Sequence, residues 1–378
     1  MNRQRALKIV REVVSLPTAP FAEAGVIAYV RSFTSNRKHV TVKCDAHGNV
    51  VAHYRKGNGR IARPICLAAH MDHPGFRAER MASVGVVRAI WHGGVMPEYV
   101  KNARVRFHSG GAWIPGRVTG IETGKRGTQT VVKSAEIAVG GAVEPGSPGM
   151  WDFPDTDVRA GRIVGRACDD LAGVAAMLTC LDDLSTRGAT GEAYFLFTRA
   201  EEVGFVGAMA ACKSNSIPRR CLLAAVENSA ERVNAKQGDG PILRVGDRAT
   251  TFTSPATQFC ELVAKDLAAS DKSFHYQRRL MDGGMCESSA YCGLGYDATG
   301  LCIALGNYHN MNTRTKKLGA EYVNVEDWIN LVRWFTALVT TKRRYDGRDG
   351  ALDAKLDRLQ REYNPILKRT RSMVMAGD

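Results

Sequence analysis

Two adjacent carboxylates, Glu201 and Glu202, stand between an apolar, aromatic run at 194–198 and a stretch of small residues, Gly204, Gly207, Ala208, Ala210 and Ala211. The first run reads as a buried strand and the second as a helix start. On such a turn two neighbouring acids face different ways, so one can bind a cation while the other faces a water beside it. A Lewis acid and a base about one water apart are what metal-assisted hydrolysis requires. Acids also gather at helix N-termini simply because the dipole favours them, so the pair gains meaning only from what the rest of the chain brings to it. His70 closes the apolar run 64–69, Glu227 closes 221–226, and His309 follows 301–305. Asp169-Asp170 precedes a helix beginning near Ala172. Taken singly, His70 has the reading of a core histidine, Asp169 that of a helix cap, Glu227 that of an edge acid and His309 that of a loop residue. Jointly they share one location, the rim beyond the carboxyl ends of strands, where open α/β sheets collect their sites. Two histidines, one shared carboxylate and two terminal carboxylates suffice for two zinc ions about 3.5–4 Å apart.

The elements that must position these residues are legible in the periodicity. Apolar stripes predict helices over 3–14, 22–33, 172–184, 255–267 and 325–339, the last capped by Asn324. Strands are predicted over 40–45, 50–54, 64–69, 194–198, 221–226 and 301–305. Strands alternating with amphipathic helices imply an α/β/α sandwich on a mixed, largely parallel sheet. From 74 to 161 the texture changes to short alternating runs with many glycines and no helical period, which reads as an inserted small all-β, barrel-like domain. The catalytic domain is therefore expected over 1–73 and 162–345, followed by a mixed-charge helical tail at 346–378 with Leu352, Leu356, Leu359 and Tyr363 aligned.

The 378 residues carry 52 Lys and Arg against 38 Asp and Glu, a net charge of +14. Such a balance invites a nucleic-acid reading. The basic residues are dispersed, however, with Lys342-Arg343-Arg344 the densest cluster, and no nucleic-acid motif accompanies them. Steering of anionic substrates and solubility account for the charge instead. No apolar run approaches a membrane span, and the charged N-terminus reads as a surface helix rather than a signal peptide. The ten cysteines form no Cys-x-x-Cys pair, which leaves a zinc ribbon or thioredoxin-like site unsupported and points to reduced thiols in a cytoplasm.

Four motifs then stand in order: Ala69-His70-Met71-Asp72, Ala167-Cys168-Asp169-Asp170-Leu171-Ala172-Gly173, Glu201-Glu202-Val203-Gly204-Phe205-Val206-Gly207-Ala208 and Tyr308-His309. Together with Asp45-Ala46-His47-Gly48-Asn49-Val50, Gly238-Asp239-Gly240-Pro241-Ile242 and Gly283-Gly284-Met285-Cys286-Glu287, they resemble the M42 (glutamyl aminopeptidase/endoglucanase-like) metallopeptidases, relatives of the M20 and M28 co-catalytic zinc exopeptidases. The resemblance runs from residue 5 to 340, and the placing of the β insert between His70 and Asp169 belongs to it. It implies that His70, Asp169, Glu202, Glu227 and His309 hold two divalent ions, Zn2+ with Co2+ or Mn2+ as alternatives, and that Asp169 bridges them. It implies Glu201 as general base, Asp72 as the residue orienting His70, and a cis peptide after Asp169. Glu287 is the candidate for holding the substrate's free amine. The implied protein is a cytoplasmic metallo-aminopeptidase acting on short peptides and self-associating through the β insert, with no membrane or nucleic-acid partner.

The chain departs from the family pattern at His73, where an acid is usual, at Gly284 to Ala290, where Gly-Thr-Asp-Ala is usual, and at Asn307-Tyr308-His309-Asn310, where Arg-Tyr-x-His-Ser is usual. Glu227 replaces the Asp common in aminopeptidases, and Glu is common in carboxypeptidase-like and deacylase relatives. An M20-like carboxypeptidase or N-acyl amino acid deacylase on the same metal set is therefore the alternative, and a non-catalytic scaffold on a peptidase fold a further one.

Overall fold

Strand Ile65–His70 shows how the sheet is built. Ile65, Leu67 and Ala69 enter one hydrophobic cluster, whereas Cys66 and Ala68 enter another. Phe195 and Phe197 against Leu196, and Leu222, Ala224 and Val226 against Leu223 and Ala225, repeat this period of two. A strand that is apolar on both faces must be covered on both. Helices Arg3–Val14, Ala24–Ser35, Cys168–Arg187, Ser254–Ser270 and Val325–Thr340 cover one face. Val206–Lys213 and Glu287–Gly293 cover the other. The result is the expected α/β/α sandwich. This computed structural model describes residues 1–57, 62–343 and 350–374, with side chains to residue 371.

The sheet has eleven strands. At its centre Gly191–Thr198, Ile65–His70, Leu222–Ala230 and Asp297–Gly306 lie side by side and parallel. Antiparallel strands flank them: Val50–Lys56 and Val40–Cys44 on one side, Glu321–Asn324, Arg162–Gly165 and Asp157–Arg159 on the other. Ile242–Asp247 pairs antiparallel to Asp297–Gly306 and parallel to Gln277–Met281. These last two strands and Glu321–Asn324 carry too few apolar residues at period two to announce themselves in sequence. The strand expected to close before Glu227 runs on to Ala230, so Glu227 sits within it, where its neighbour Asp297–Gly306 continues the pairing.

Between residues 75 and 151 six strands close a barrel around a core of its own that includes Phe76, Trp91, Phe107 and Trp151. The short helix Pro97–Val100 interrupts a segment in which no helix was expected. Asp157–Arg159, inside the expected insert, already belongs to the large sheet. Asn324 caps its helix as expected, accepting the N–H groups of Glu326 and Asp327. Of the C-terminal tail, helix Gly350–Val374 is described, with Leu352, Leu356 and Tyr363 exposed, and residues 346–349 and 375–378 lie outside the described residues. Among the described residues no helix is long and apolar enough to cross a membrane.

Candidate metal centre

The four parallel central strands end on one rim, and each delivers a candidate ligand. His70 is the last residue of its strand, Glu227 lies near the end of the next, His309 follows Gly306 by three residues, and Glu201 and Glu202 follow Thr198. Asp169 arrives from the adjoining Arg162–Gly165 strand at the entry of helix Cys168–Arg187, where it and Asp170 keep non-helical dihedrals and the peptide between them is cis.

The acid turn is held from three sides. The Asp72 carboxylate accepts the N–H of Glu201 at 3.0 Å on one oxygen and that of Glu202 at 3.1 Å on the other. Glu23, buried, accepts the N–H of Ala200 at 3.1 Å and the guanidinium Nε of Arg199 at 2.9 Å. The Asn49 carbonyl oxygen accepts the Arg199 N–H at 3.1 Å, while its amide donates to Asp45 and to the Gly207 carbonyl. This last set gives the Asp45 to Asn49 turn its purpose. A Cβ on Gly207 would press into the Arg199 backbone and the Asn49 oxygen, so only glycine lets the turn close against the strand end. Glu23 carried no sequence signal, since nothing in its surroundings distinguishes it from a solvated acid.

The two histidines are oriented by backbone carbonyls. His70 Nδ1 donates to the Asp72 carbonyl at 3.1 Å, and His309 Nδ1 donates to the Gly94 carbonyl at 2.6 Å. Because a carbonyl only accepts, each Nδ1 carries a proton, and each Nε2 is the ring nitrogen left facing inward. The Asp72 carboxylate is 3.6 Å from His70 Nδ1, so Asp72 orients His70 chiefly through its main chain and spends its side chain on the acid turn. Gly94 belongs to the barrel segment, which therefore reaches into the site.

Between the two imidazoles lies Asp169. Its Oδ1 is 3.6 Å from His70 Nε2 and its Oδ2 is 3.7 Å from His309 Nε2. Glu202 approaches His309 Nε2 at 3.4 Å, and Glu201 approaches His70 Nε2 at 3.9 Å. Two clusters result: donor atoms of His70, Glu201 and Glu227 within 4.8 Å of one another, and donor atoms of Asp169, Glu202 and His309 likewise. The neighbouring acids thus do face apart, Glu201 to one cluster and Glu202 to the other. Asp169 Oδ1, Glu202 Oε1, Glu227 Oε1 and His309 Nε2 are buried without a hydrogen-bond partner. Buried polar atoms in this number are ordinarily satisfied, so this donor set fits a pair of divalent cations.

The electrostatics agree. Burial pushes Glu201 well above the usual carboxylate range, and Glu227 and Glu202 push it further against the opposing pull of His70. Burial and Asp169 lift Glu227 to about 8 although His70 lowers it. Burial opposes the charge on His309, yet Glu202 and Asp169 raise it to about 9. Too many acids share too little positive charge, a deficit that divalent cations held there would make good.

Glu287 is 1% exposed, accepts the Tyr291 hydroxyl at 3.0 Å, and does not line the cavity that opens beside Glu227. Two further groups were not anticipated. Glu321, fully buried, accepts the Asp169 N–H at 3.0 Å. Asn228 donates to the Cys168 carbonyl at 2.8 Å and to Asp170 at 2.5 Å, tying the central helix entry to the Glu227 strand.

Comparison with known proteins bears on the same residues. A family model described as M42 glutamyl aminopeptidase matches residues 48–323. A lysyl aminopeptidase of Pyrococcus furiosus is 26% identical over 244 residues, 59% of this chain and 68% of the relative. Among solved structures, an aminopeptidase from the archaeon Desulfurococcus kamchatkensis superposes with a TM-score of 0.74 at 22% identity, over 91% of this chain and 97% of the other. The Pyrococcus horikoshii TET1 peptidase, described as assembling into a tetrahedron or a large octahedral shell, gives 0.70 at 20% identity over 89% and 99%.

Proposed function

The chain belongs to the M42 glutamyl aminopeptidase family and is a hydrolase of the metalloaminopeptidase kind; from that premise we propose that it removes N-terminal residues from short peptides, with two divalent ions and Glu201 as general base. The observation that carries this reading is the two-sided Asp169, one oxygen toward each histidine. His70 and Glu227 would hold one ion and His309 and Glu202 the other, with Asp169 between the two groups. When bound, such ions polarise the scissile carbonyl and lower the pKa of a water.

Glu201 lies within the His70 cluster but is the one acid there not needed as a ligand. It takes the water's proton and hands it to the departing amine. A carboxylate whose proton affinity is already raised by burial suits that shuttle. Asp72 acts by fixing the main chain under Glu201 and Glu202. By analogy with the tetrahedral and octahedral assemblies of the horikoshii peptidase, the chain forms homo-oligomers through the barrel, and a monomer by light scattering would end that part of the reading.

The decisive assay is hydrolysis of aminoacyl-anilides by chelated protein before and after addition of zinc, cobalt or manganese. Turnover that returns with the metal is expected. Cleavage of N-acyl amino acids with no turnover of any free-amine substrate would instead favour the deacylase or carboxypeptidase alternative, toward which Glu227 in place of Asp points.

A further inference from the structure

The loop at 17–23 is tied to two of the stretches that carry site residues. Thr18 Oγ1 donates to the Met71 carbonyl at 2.6 Å, one residue beyond His70. Glu23 Oε1 accepts the Ala200 N–H at 3.1 Å, one residue before Glu201. The same oxygen accepts the Phe21 N–H at 2.9 Å. Thr18, Ala19, Pro20, Ala22 and Glu23 are buried, whereas Phe21 in their midst is 46% exposed. Its backbone has φ +67°, a left-handed conformation that a bulky residue adopts rarely and at a cost. Its ring packs edge-to-face with His92 at 5.2 Å between centroids. Two residues beyond His92, the Gly94 carbonyl orients His309. Phe21 therefore stands where three segments meet, and each leads within two residues to a group at the metal centre.

Two more exposed apolar side chains belong to the same border. Val206, 41% exposed, donates its N–H to the Ala200 carbonyl at 3.2 Å, so Ala200 is held between the Phe21 loop and Val206. Met96, 43% exposed, follows Gly94 by two residues. None of the three lines the cavity beside Glu227 and Tyr308, so this apolar border lies on a different flank of the site. Single exposed apolar residues need no explanation. Three of them on segments that brace one site, with one held in a left-handed backbone, do.

The proposed chemistry says what passes this flank. Glu201 hands its proton to the departing amine, so the departing peptide lies on the side of Glu201. We infer that Phe21, on a border that Val206 and Met96 extend, receives a large apolar side chain on the residue that follows the scissile bond, and that Phe21 determines this preference. The inference rests on the aminopeptidase reading of the metal centre and is independent of which N-terminal residue is accepted.

The test uses the metal-loaded protein and three amides that share the N-terminal residue it turns over fastest. One is the aminoacyl amide itself, one the dipeptide amide with glycine second, and one the dipeptide amide with phenylalanine second. Phenylalanine should exceed glycine by about tenfold in kcat/KM, the worth of one aromatic contact, with the difference in KM. In F21G this ratio should fall toward one, and in F21L part of it should remain. Glycine takes a positive φ without strain, which offsets the lost ring contact, so F21G should melt close to wild type. A merely structural Phe21 predicts a lower melting temperature and the same proportional loss with all three amides, and that result would overturn the inference. A wild-type ratio near one, or a ratio kept in F21G, with the aminoacyl amide turned over, would overturn it too and leave the aminopeptidase reading standing. Turnover of no amide that bears a free N-terminal amine would remove that reading and this inference with it.

Discussion

Replacing Asp72 by asparagine changes almost no volume and removes one acceptor. In the native protein each carboxylate oxygen takes one backbone N–H, from Glu201 at 3.0 Å and from Glu202 at 3.1 Å. An amide offers one acceptor oxygen and turns an NH2 toward the other N–H. Hydrogen bonds to a charged acceptor contribute about 1.5–3 kcal/mol each, and a buried N–H left without a partner costs about 1–3 kcal/mol. Allowing for relaxation of the turn, D72N should destabilise the metal-stripped chain by about 2–4 kcal/mol. The same residues carry the proposed base and a proposed ligand, and a displacement near 1 Å at a catalytic group lowers the rate by about 100-fold.

Urea unfolding of the stripped protein and steady-state kinetics of the loaded one measure the two effects separately. The alternative role, orientation of His70 by the carboxylate 3.6 Å away, predicts something else: metal affinity lower by about 10–100-fold with the stripped chain as stable as wild type. Stability within about 0.5 kcal/mol of wild type, the scatter of a neutral surface change, together with wild-type kcat would refute the argument that Asp72 holds the acid turn.

Three further outcomes follow from the same geometry. E201Q should lower kcat by about 100- to 10,000-fold, the worth of a general base, while metal analysis still finds the wild-type ion content; unchanged turnover would remove Glu201 from the mechanism. The metal-stripped chain should lose stability as pH rises from 5 to 9, because Glu227 (about 8) and Glu321 (about 7) have folded-state pKa values above their unfolded ones and stay protonated more readily when folded. His309, raised to about 9, acts in the same direction, its stabilising charge being lost through that range. Bound metal should flatten or reverse the slope, and melting curves with and without chelator that rise together with pH would contradict this. G207A should destabilise by about 1–3 kcal/mol and lower activity with it, since the added methyl meets main chain rather than a movable side chain; a neutral effect in denaturant titrations would show that the turn tolerates opening.

Why part of this was readable in the sequence and part was not has a physical basis. The parallel centre was legible because strands buried on both faces must be apolar throughout, as 64–69, 194–198, 221–226 and 301–305 are. Their common polarity puts every carboxyl end on one rim, which is how four separate residues could be assigned one location. Residues that hold the site through hydrogen bonds involving the main chain escaped. Gly94 works through its carbonyl, which no side-chain pattern encodes, Glu321 satisfies the N–H of Asp169, and Glu23 accepts from the Phe21 and Ala200 N–H groups and from the Arg199 guanidinium.

Two departures from the family pattern meet in space. His73, where an acid is usual, donates through Nδ1 to the Asp169 carbonyl and meets the Asn310 side-chain oxygen with Nε2 at 2.9 Å. The amide nitrogen of Asn310, where serine is usual, donates to the Arg166 carbonyl at 2.9 Å, which fixes its oxygen toward His73. The two side chains meet in space although 237 positions separate them in the chain. What they preserve is the main chain of Asp169, on one side of which stands His73 and on the other Glu321.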